Sequence, residues 1–184
     1  MVNYQTTQGK YQLTQEDLLT KFYNSLFLAY ELADELHLNR DTLDKINTEV
    51  MLTSCDIREL TKKEKLKRVP SSYTTPDGKA IIFDEGYFSK KLKRSPRLKK
   101  LDKDKLQILS DVYCQFRMDH EFLHSYLILS GEAKRILEKH GQEKYLKKME
   151  YETDKLQKKV TIYRIEHSED QNAQKIWNFW LQKI

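Results

Sequence analysis

Glycine, proline and cysteine are scarce in this chain. Its 184 residues include five glycines, three prolines and two cysteines, whereas 33% of them are charged. Because all-β domains need many turn-forming residues, this composition favours a helix-rich protein. The two cysteines, Cys55 and Cys114, lie within helical patterns and do not have the spacing of a zinc-binding pair. We therefore interpret them as reduced, buried thiols, which are typical of cytosolic proteins.

Long apolar runs are also missing. No stretch of about 18 apolar residues occurs, so we expect no transmembrane helix and no membrane partner. Residues 1–17 contain no apolar core of a secretory signal, and we expect a cytoplasmic protein. The chain is long enough for one domain with its own hydrophobic core, and we find no internal repeat or low-complexity linker in it.

The stretch with the clearest pattern runs from Leu101 to Gly131. Residues recur there at spacings of three and four, as they do along one face of an α-helix. The residues of this face are Leu106, Leu109, Tyr113, Phe116, His120, Leu123 and Leu127. Asp102 is placed to cap the start of this helix and Gly131 to end it. We predict a central helix against which the other helices pack.

Helical periodicity covers most of the remaining chain. Thr14 and Asp17 have the spacing of a capping box, and an amphipathic pattern follows them up to about residue 38. Further helices are predicted over residues 40–52, 53–67, 132–140 and 142–166, and after Ser168. Residues 142–166 have the pattern of a coiled-coil seam, which would pack on the central helix or pair with a second copy in a homodimer. The last helix carries two tryptophans and is expected to dock on the body of the protein.

A β-like pattern is confined to residues 69–88. Residues 76–78, Pro-Asp-Gly, predict a turn, and residues 80–83 predict a short strand against which residues 71–75 can pair. A hairpin that follows helices would suit the wing of a winged-helix domain. A surface flap over one end of a bundle is the alternative, which we favour because one hairpin does not identify a family.

The predicted fold is therefore mostly α, an irregular helical bundle with one short β-hairpin. Residues 1–13 are expected to form a flexible arm, and residues 14–184 a single helical domain. Within that domain, residues 14–100 would hold the first helices, the hairpin and a basic segment. Residues 101–184 would form a bundle of long helices.

Positive charge is concentrated in one part of the sequence. The net charge is +5, but residues 62–105 contain fifteen Lys and Arg against six Asp and Glu, which gives this segment a charge of +9. The rest of the chain therefore carries −4. A segregated basic segment is typical of proteins that bind polyanions, and it predicts phosphate contacts that do not depend on base sequence. A general compositional bias toward lysine is the alternative.

Residues 29–46 resemble the helix-turn-helix of DNA-binding proteins. Ala33 occupies the position of the small residue that packs where the two helices cross, and Leu43 and Ile46 would set the inner face of the recognition helix. The resemblance implies that the outer face of this second helix enters a groove of DNA. His37 stands where the motif usually has glycine, which adopts the backbone of the turn more readily. A long helix followed by a tight turn is the alternative, and we favour it.

The charge and this resemblance together define a predicted nucleic-acid-binding surface. In the helix-turn-helix region it comprises Arg40, Thr42 and Lys45. In and around the basic segment it comprises Lys62, Lys63, Lys65, Lys67, Arg68, Lys79, Lys90, Lys91, Lys93, Arg94, Arg97, Lys99 and Lys100. Arg94 and Arg97 are the predicted phosphate forks, because a guanidinium group can bind two phosphate oxygens at once.

Residues 120–124, His-Glu-Phe-Leu-His, indicate a different chemistry. They resemble the His-Glu-x-x-His signature of zincins. The resemblance implies that His120 and His124 bind zinc, that Glu121 activates the metal-bound water, and that a third ligand follows downstream. The candidates for this third ligand are Glu132, Glu138 and Glu143. A hydrogen-bonded histidine in the core is the alternative, which we favour because such enzymes also need a strand edge beside the zinc.

Two further resemblances involve histidines. With His37 or a carboxylate added, the histidine pair is similar to the three-histidine metal sites of DinB-like helical bundles. Arg135 and His140 have the Arg-x4-His spacing of HEPN-type RNases, which implies a histidine that acts as acid or base and an arginine that holds the phosphate. Ile136 departs from that family, in which a polar residue usually follows the arginine.

The combined observations predict a non-enzymatic protein that binds nucleic acid, with DNA as the favoured partner. We expect a regulatory or accessory protein of the phage or plasmid type, with residues 62–105 as its main site. The first alternative is a helical protein-interaction module, such as an inhibitor that docks on the acidic groove of a nucleic-acid enzyme or on its bound nucleic acid. The second is a zinc-dependent hydrolase built on His120 and His124. No cofactor is expected apart from zinc in this last alternative.

Overall fold

The computed structural model describes residues 13–53, 71–84, 86 and 94–184. The helices in these ranges are α1 (Gln15–Glu31), α2 (Ala33–Leu36), α3 (Arg40–Leu43), α4 (Lys103–Leu129), α5 (Glu132–His140), α6 (Gln142–Glu166) and α7 (Gln171–Leu181). The strands are β1 (Glu49–Thr53), β2 (Ser72–Thr74) and β3 (Ala80–Asp84). A 3-10 turn at Leu98–Lys100 precedes α4. The prediction of a mostly α fold with a short β element is confirmed.

The longest of these helices, α4, is the central element that the sequence predicted. It has 27 residues, and its N-cap Asp102 accepts a hydrogen bond from the backbone N–H of Lys105 at 2.8 Å. The chain leaves the helix through Gly131, whose φ of 81° lies in the left-handed region that glycine adopts most readily. Helices α1, α6 and α7 and strand β2 all pack on α4, which explains why most of its middle is buried.

The first helix begins with the predicted capping box. The Thr14 hydroxyl accepts a hydrogen bond from the backbone N–H of Asp17 at 3.1 Å, and the Asp17 carboxylate accepts one from the N–H of Thr14 at 2.9 Å. Helix α1 ends at Glu31, earlier than expected, and α2 adds one more turn. His37 then adopts a left-handed conformation with a φ of 55°, so a bulky residue occupies a backbone position that glycine would fill with less strain.

The helix predicted over residues 40–52 is wrong after Leu43. Helix α3 is a single turn, and the chain becomes strand β1 at Glu49. This strand pairs in parallel with β3. The apolar and β-branched residues at 50–53 suit a strand as well as a helix, so the backbone hydrogen bonds that β3 offers decide between the two.

The predicted hairpin is confirmed, and it forms part of a larger sheet. Strands β2 and β3 are antiparallel, with Tyr73 opposite Ile82. Strand β3 lies in the middle of the order β1-β3-β2, and its residues from Ile81 onward are buried. The sheet packs on α4 and covers part of it, as the flap interpretation of the hairpin expects.

The seam of α6 packs within the chain. Met149 and Thr153 are buried, and α6 meets α4 in reverse order, with Thr153 beside His124 and Gln157 beside Phe116. The two helices are therefore antiparallel. The middle of the seam through which a homodimer was considered is therefore buried within the chain, whereas Leu146 at its start is 54% exposed.

The last helix docks on the body of the protein, as its tryptophans predicted. Trp177 is buried in a cluster with Val112 and Phe116 of α4. The Trp180 ring stacks on the Phe116 ring with their centroids 5.3 Å apart. This second apolar cluster fixes the C-terminal end of the chain to the central helix.

Several predictions lie outside the described residues. They are the arm at residues 1–12, residues 54–67 of the helix expected over residues 53–67, Cys55, and a large part of the basic segment. Cys114 is buried, as expected. Within the described ranges, none of the helices combines the length and the apolar character needed to cross a membrane.

Candidate functional site

The residues predicted to read DNA lie around a helix of one turn. Arg40 and Thr42 belong to α3, and Lys45 follows it. Arg40 and Lys45 are exposed, but the Arg40 guanidinium lies 3.4 Å from the Asp34 carboxylate. The backbone N–H of Thr42 donates to the Asn39 side chain at 3.0 Å, which caps α3. A helix of four residues cannot extend along a groove, so the region lacks the recognition helix that the resemblance implies.

The described part of the basic segment is exposed to solvent. Lys79 lies beside the hairpin turn, and four further exposed cations lie just before α4: Arg94, Arg97, Lys99 and Lys100. None of these four takes part in an ion pair with another described residue. Leu98 is half-buried and ties the turn to the body of the protein. Four exposed positive charges therefore lie within seven residues of the chain.

The other cations of the predicted surface lie outside the described residues. They are Lys62, Lys63, Lys65, Lys67, Arg68, Lys90, Lys91 and Lys93.

His120 and His124 lie one turn apart on α4 and face Glu150 on α6. Their Nε2 atoms are 3.1 Å apart. The Glu150 carboxylate oxygens lie 3.4 Å from the Nε2 of His120 and 3.2 Å from the Nε2 of His124. In the part of the chain that the structure describes, no other group of three His, Cys, Asp or Glu side chains converges in this way. We call these three side chains the His–His–Glu triangle.

The triangle is open toward solvent on the side of Glu150. The side chains of His120 and His124 are 8% and 13% exposed, whereas that of Glu150 is 58% exposed. Burial by itself would raise the pKa of the Glu150 carboxyl, but its contacts with the two histidines together outweigh burial and hold that pKa well below its ordinary value. Burial raises the pKa of Asp154, one turn further along α6. Glu150 therefore presents a negative charge to two imidazoles at neutral pH.

A second layer of polar side chains holds both imidazoles. The Nδ1 of His120 lies 2.7 Å from the amide oxygen of Gln157, and the Gln157 amide nitrogen donates to the backbone carbonyl of Phe116 at 2.8 Å. The Nδ1 of His124 lies 3.3 Å from the Thr153 hydroxyl. Thr153 and Gln157 are both almost fully buried. Outer contacts of this kind fix the orientation of metal-binding histidines.

The Glu121 carboxylate is engaged with the sheet. It accepts hydrogen bonds from the Ser72 hydroxyl at 2.9 Å and from the Thr74 hydroxyl at 2.7 Å, and it forms an ion pair with Arg117 at 2.6 Å. Burial would raise the pKa of Glu121, but the positive charge of Arg117, the two nearby histidines and the hydrogen bond from Thr74 together outweigh it, and the pKa lies below its ordinary value. In a zincin this glutamate would be free to activate water. Here both of its oxygens are bound by protein groups, which argues against its predicted role as a base.

Sequence reasoning placed the third carboxylate at Glu132, Glu138 or Glu143, and that prediction is wrong. These residues lie on α5 or in the first turn of α6, and the carboxylate that joins the histidines is Glu150. One feature of the sequence could have identified Glu150. The apolar seam of α6 is interrupted by the polar Thr153, and Glu150 lies one turn before it. If α6 packs antiparallel on α4, this turn lies opposite the histidines.

The remaining candidate residues are separate from the triangle. His37 lies in the turn between α2 and α3. Arg135 forms an ion pair with Glu132 at 3.3 Å, and His140 is the last residue of α5. The arginine of the HEPN-like spacing thus already has an acidic partner.

Comparison of the chain with protein-family models, with curated proteins and with solved structures gives no match. The resemblances to helix-turn-helix, zincin, DinB-like and HEPN-type proteins therefore stay predictions. The function has to be inferred from the charge and the geometry of this chain.

Proposed function

We propose that this protein binds nucleic acid through the basic segment at residues 62–105 and catalyses no reaction. The observation that carries the proposal is the group of exposed cations just before α4, namely Arg94, Arg97, Lys99 and Lys100, which form no ion pair with another described residue. They belong to the segment that holds a charge of +9 in a chain whose remainder carries −4. Exposed cations of this kind can neutralise phosphates.

The binding would be driven by phosphates and independent of base sequence. Lysine and arginine side chains that replace the counterions of a nucleic acid gain affinity from the release of those ions. The one-turn helix α3 offers no extended surface for reading base edges. DNA is the proposed polyanion, and the proposed role is that of a regulatory or accessory protein of the phage or plasmid type.

The first test is the binding of fluorescent duplex DNA over a series of salt concentrations. The logarithm of the affinity should fall linearly with the logarithm of the salt concentration. In the variant with Arg94, Arg97, Lys99 and Lys100 all changed to Gln, the slope should become shallower by about 3.6, which is about 0.9 for each lost phosphate contact. Single-stranded DNA and duplex RNA serve as further probes of the same chemistry.

A matched control separates a specific surface from net charge. The variant with Lys134, Arg135, Lys139 and Lys155 changed to Gln removes the same charge from exposed positions on α5 and α6. It should bind like the parent protein. Equal losses in the two variants, or an affinity that salt does not change, would contradict the proposal.

A protein-interaction module is the second candidate, and a row of exposed apolar side chains on α1 favours it. Leu19, Tyr23 and Phe27 are 39%, 62% and 66% exposed, and they lie one turn apart on one side of the helix. An inhibitor of a nucleic-acid enzyme could use such a row to contact its target. A partner whose capture survives nuclease treatment and is lost in the Tyr23→Ser, Phe27→Ser double variant would favour this candidate.

A further inference from the structure

The hydrogen bonds of Gln157 determine where the proton lies on His120. The Gln157 amide nitrogen donates to the Phe116 carbonyl at 2.8 Å, and a reversed amide would place two acceptor oxygens at that distance. The amide oxygen therefore faces His120, whose Nδ1 must donate the 2.7 Å hydrogen bond to it. A neutral His120 consequently presents the lone pair of its Nε2 to His124 and Glu150.

Three acceptor atoms then meet with too few protons between them. With both rings neutral, His124 can place one N–H on either the His120 nitrogen or the Glu150 carboxylate. The Nε2 of His120 and the Oε2 of Glu150 are 3.4 Å apart and both act as acceptors. The His120 side chain is buried, and a buried acceptor without a donor is unfavourable, whereas Glu150 also meets solvent. A metal ion in the triangle would contact all three side chains at once.

The dimensions of the triangle match those of a metal site. Zinc binds imidazole nitrogen and carboxylate oxygen at about 2.0–2.1 Å, so two of its tetrahedral ligand atoms are about 3.3 Å apart. Here the two Nε2 atoms are 3.1 Å apart, the Nε2 of His124 lies 3.2 Å from the Oε1 of Glu150, and the Nε2 of His120 lies 3.4 Å from the Oε2 of Glu150. An ion between these side chains can therefore contact both nitrogens and a carboxylate oxygen once the side chains adjust.

The groups behind the triangle also suit a bound ion. The Thr153 hydroxyl can accept a hydrogen bond from the Nδ1 of His124, which frees the Nε2 of that ring for the metal. The amide oxygen of Gln157 accepts a hydrogen bond from the Nδ1 of His120 and leaves the Nε2 of that ring for the metal. Both imidazoles thus have a buried acceptor on the side that faces away from Glu150.

From these contacts we infer that His120, His124 and Glu150 bind a divalent transition-metal ion, with zinc as the best match. Two imidazoles and a carboxylate are a donor set that zinc commonly takes, and three protein ligands leave at least one coordination position for water. The exposed Glu150 side chain gives the ion a route from solvent. The site goes beyond the proposed binding of nucleic acid and does not depend on it.

The test is calorimetric titration of the metal-free full-length protein with zinc chloride. One ion should bind per chain. The Glu150→Gln variant should bind zinc at least about tenfold more weakly, because even an outer-layer substitution changes metal affinity about 10–100-fold. Glu150 is more than half exposed and glutamine has nearly the same shape, so this variant should fold. The Glu143→Gln variant alters an exposed carboxylate on the same helix and should leave the affinity unchanged.

Nitrogen NMR of the imidazoles gives a second readout that is independent of affinity. Zinc should shift the Nε2 signals of His120 and His124, while both Nδ1 atoms stay protonated. A protein that binds no stoichiometric zinc would overturn the inference. So would zinc binding of equal strength in the parent and in Glu150→Gln, because the ion would then lie elsewhere.

Discussion

At the scale of single residues, Asp119 is the least exposed carboxylate among the described residues, at 2%. Its carboxylate accepts two hydrogen bonds from the Arg164 guanidinium, both at 2.7 Å. It also accepts from the Ser25 hydroxyl at 2.7 Å and from the Gln115 amide at 3.0 Å. One carboxylate thereby connects α1, α4 and α6. The Arg164 side chain also lies over the Trp177 ring of α7.

The Arg164→Met variant should therefore be strongly destabilised. It leaves the buried Asp119 charge without its cation, and such a change lowers the free energy of unfolding by about 3–5 kcal/mol. Urea denaturation followed by circular dichroism measures the effect. Lys158→Met, at an exposed position of the same helix, should change stability by less than about 0.5 kcal/mol. If the free energy of unfolding of Arg164→Met falls by less than about 1 kcal/mol, the Asp119–Arg164 ion pair contributes little to stability.

The His-Glu-x-x-His run shows how one helix distributes neighbouring residues to different partners. Each residue of a helix is rotated by about 100° from the one before it. His120 and His124 consequently face α6, while Glu121 faces the sheet and bonds to Ser72 and Thr74. The same short run therefore serves a candidate metal site and the attachment of the sheet.

At the scale of elements, the docking of the hairpin on α4 depends on Gly78. This residue has a φ of 70°, which side-chain-bearing residues rarely adopt. A Cβ atom there would lie 3.1 Å from the Cγ2 of Ile128 and 3.3 Å from the Cγ of Leu129. With a side chain at this position, Ile128 and Leu129 would have to move by a few tenths of an ångström for the turn to keep its place on the central helix.

The Gly78→Ala variant tests this contact. It should lower the free energy of unfolding by about 2–4 kcal/mol, from left-handed strain of about 1–2 kcal/mol and from crowding against α4. Gly131→Ala is the matched control, because its φ is 81° and no atom lies within 4 Å of the added Cβ. The free energy of unfolding of this variant should fall only by the amount that left-handed strain costs. The free energy of unfolding of both variants is measured by urea denaturation. Equal losses would mean that the hairpin accommodates the added methyl group without any loss of stability from crowding.

At the scale of the whole molecule, α7 closes a second apolar cluster on α4. Trp177 is 6% exposed and packs with Val112 and Phe116, whereas Phe179 on the same helix is 50% exposed. The cluster joins the C-terminal helix to the central one. Helix α7 is therefore packed into the hydrophobic interior of the protein through this cluster.

Truncation of Trp177 should destabilise the entire fold. Trp177→Ala removes a buried indole and should lower the free energy of unfolding by about 3–5 kcal/mol. Phe179→Ala should lower it by less than about 1 kcal/mol, since half of that side chain is already in water. Thermal and urea unfolding monitored by tryptophan fluorescence and circular dichroism should agree on this order. Similar effects of the two substitutions would contradict the docking of α7 through Trp177.

The sequence by itself determined the features that depend on near neighbours. The spacing of apolar residues located α4, and the local chemistry of Asp102, Gly131 and the Thr14 box located helix ends. The Pro-Asp-Gly turn located the hairpin of β2 and β3. These features were predictable because the interacting groups lie within a few residues of each other along the chain.

Tertiary structure alone decided the features that depend on distant partners. Residues 49–53 form a strand because β3 supplies backbone hydrogen bonds, which the local sequence pattern does not predict. Glu150 joined the two histidines because α6 packs antiparallel on α4 in one particular register. Side chains far apart in sequence meet only after packing has fixed the register of the helices, and packing depends on the whole apolar surface of each helix.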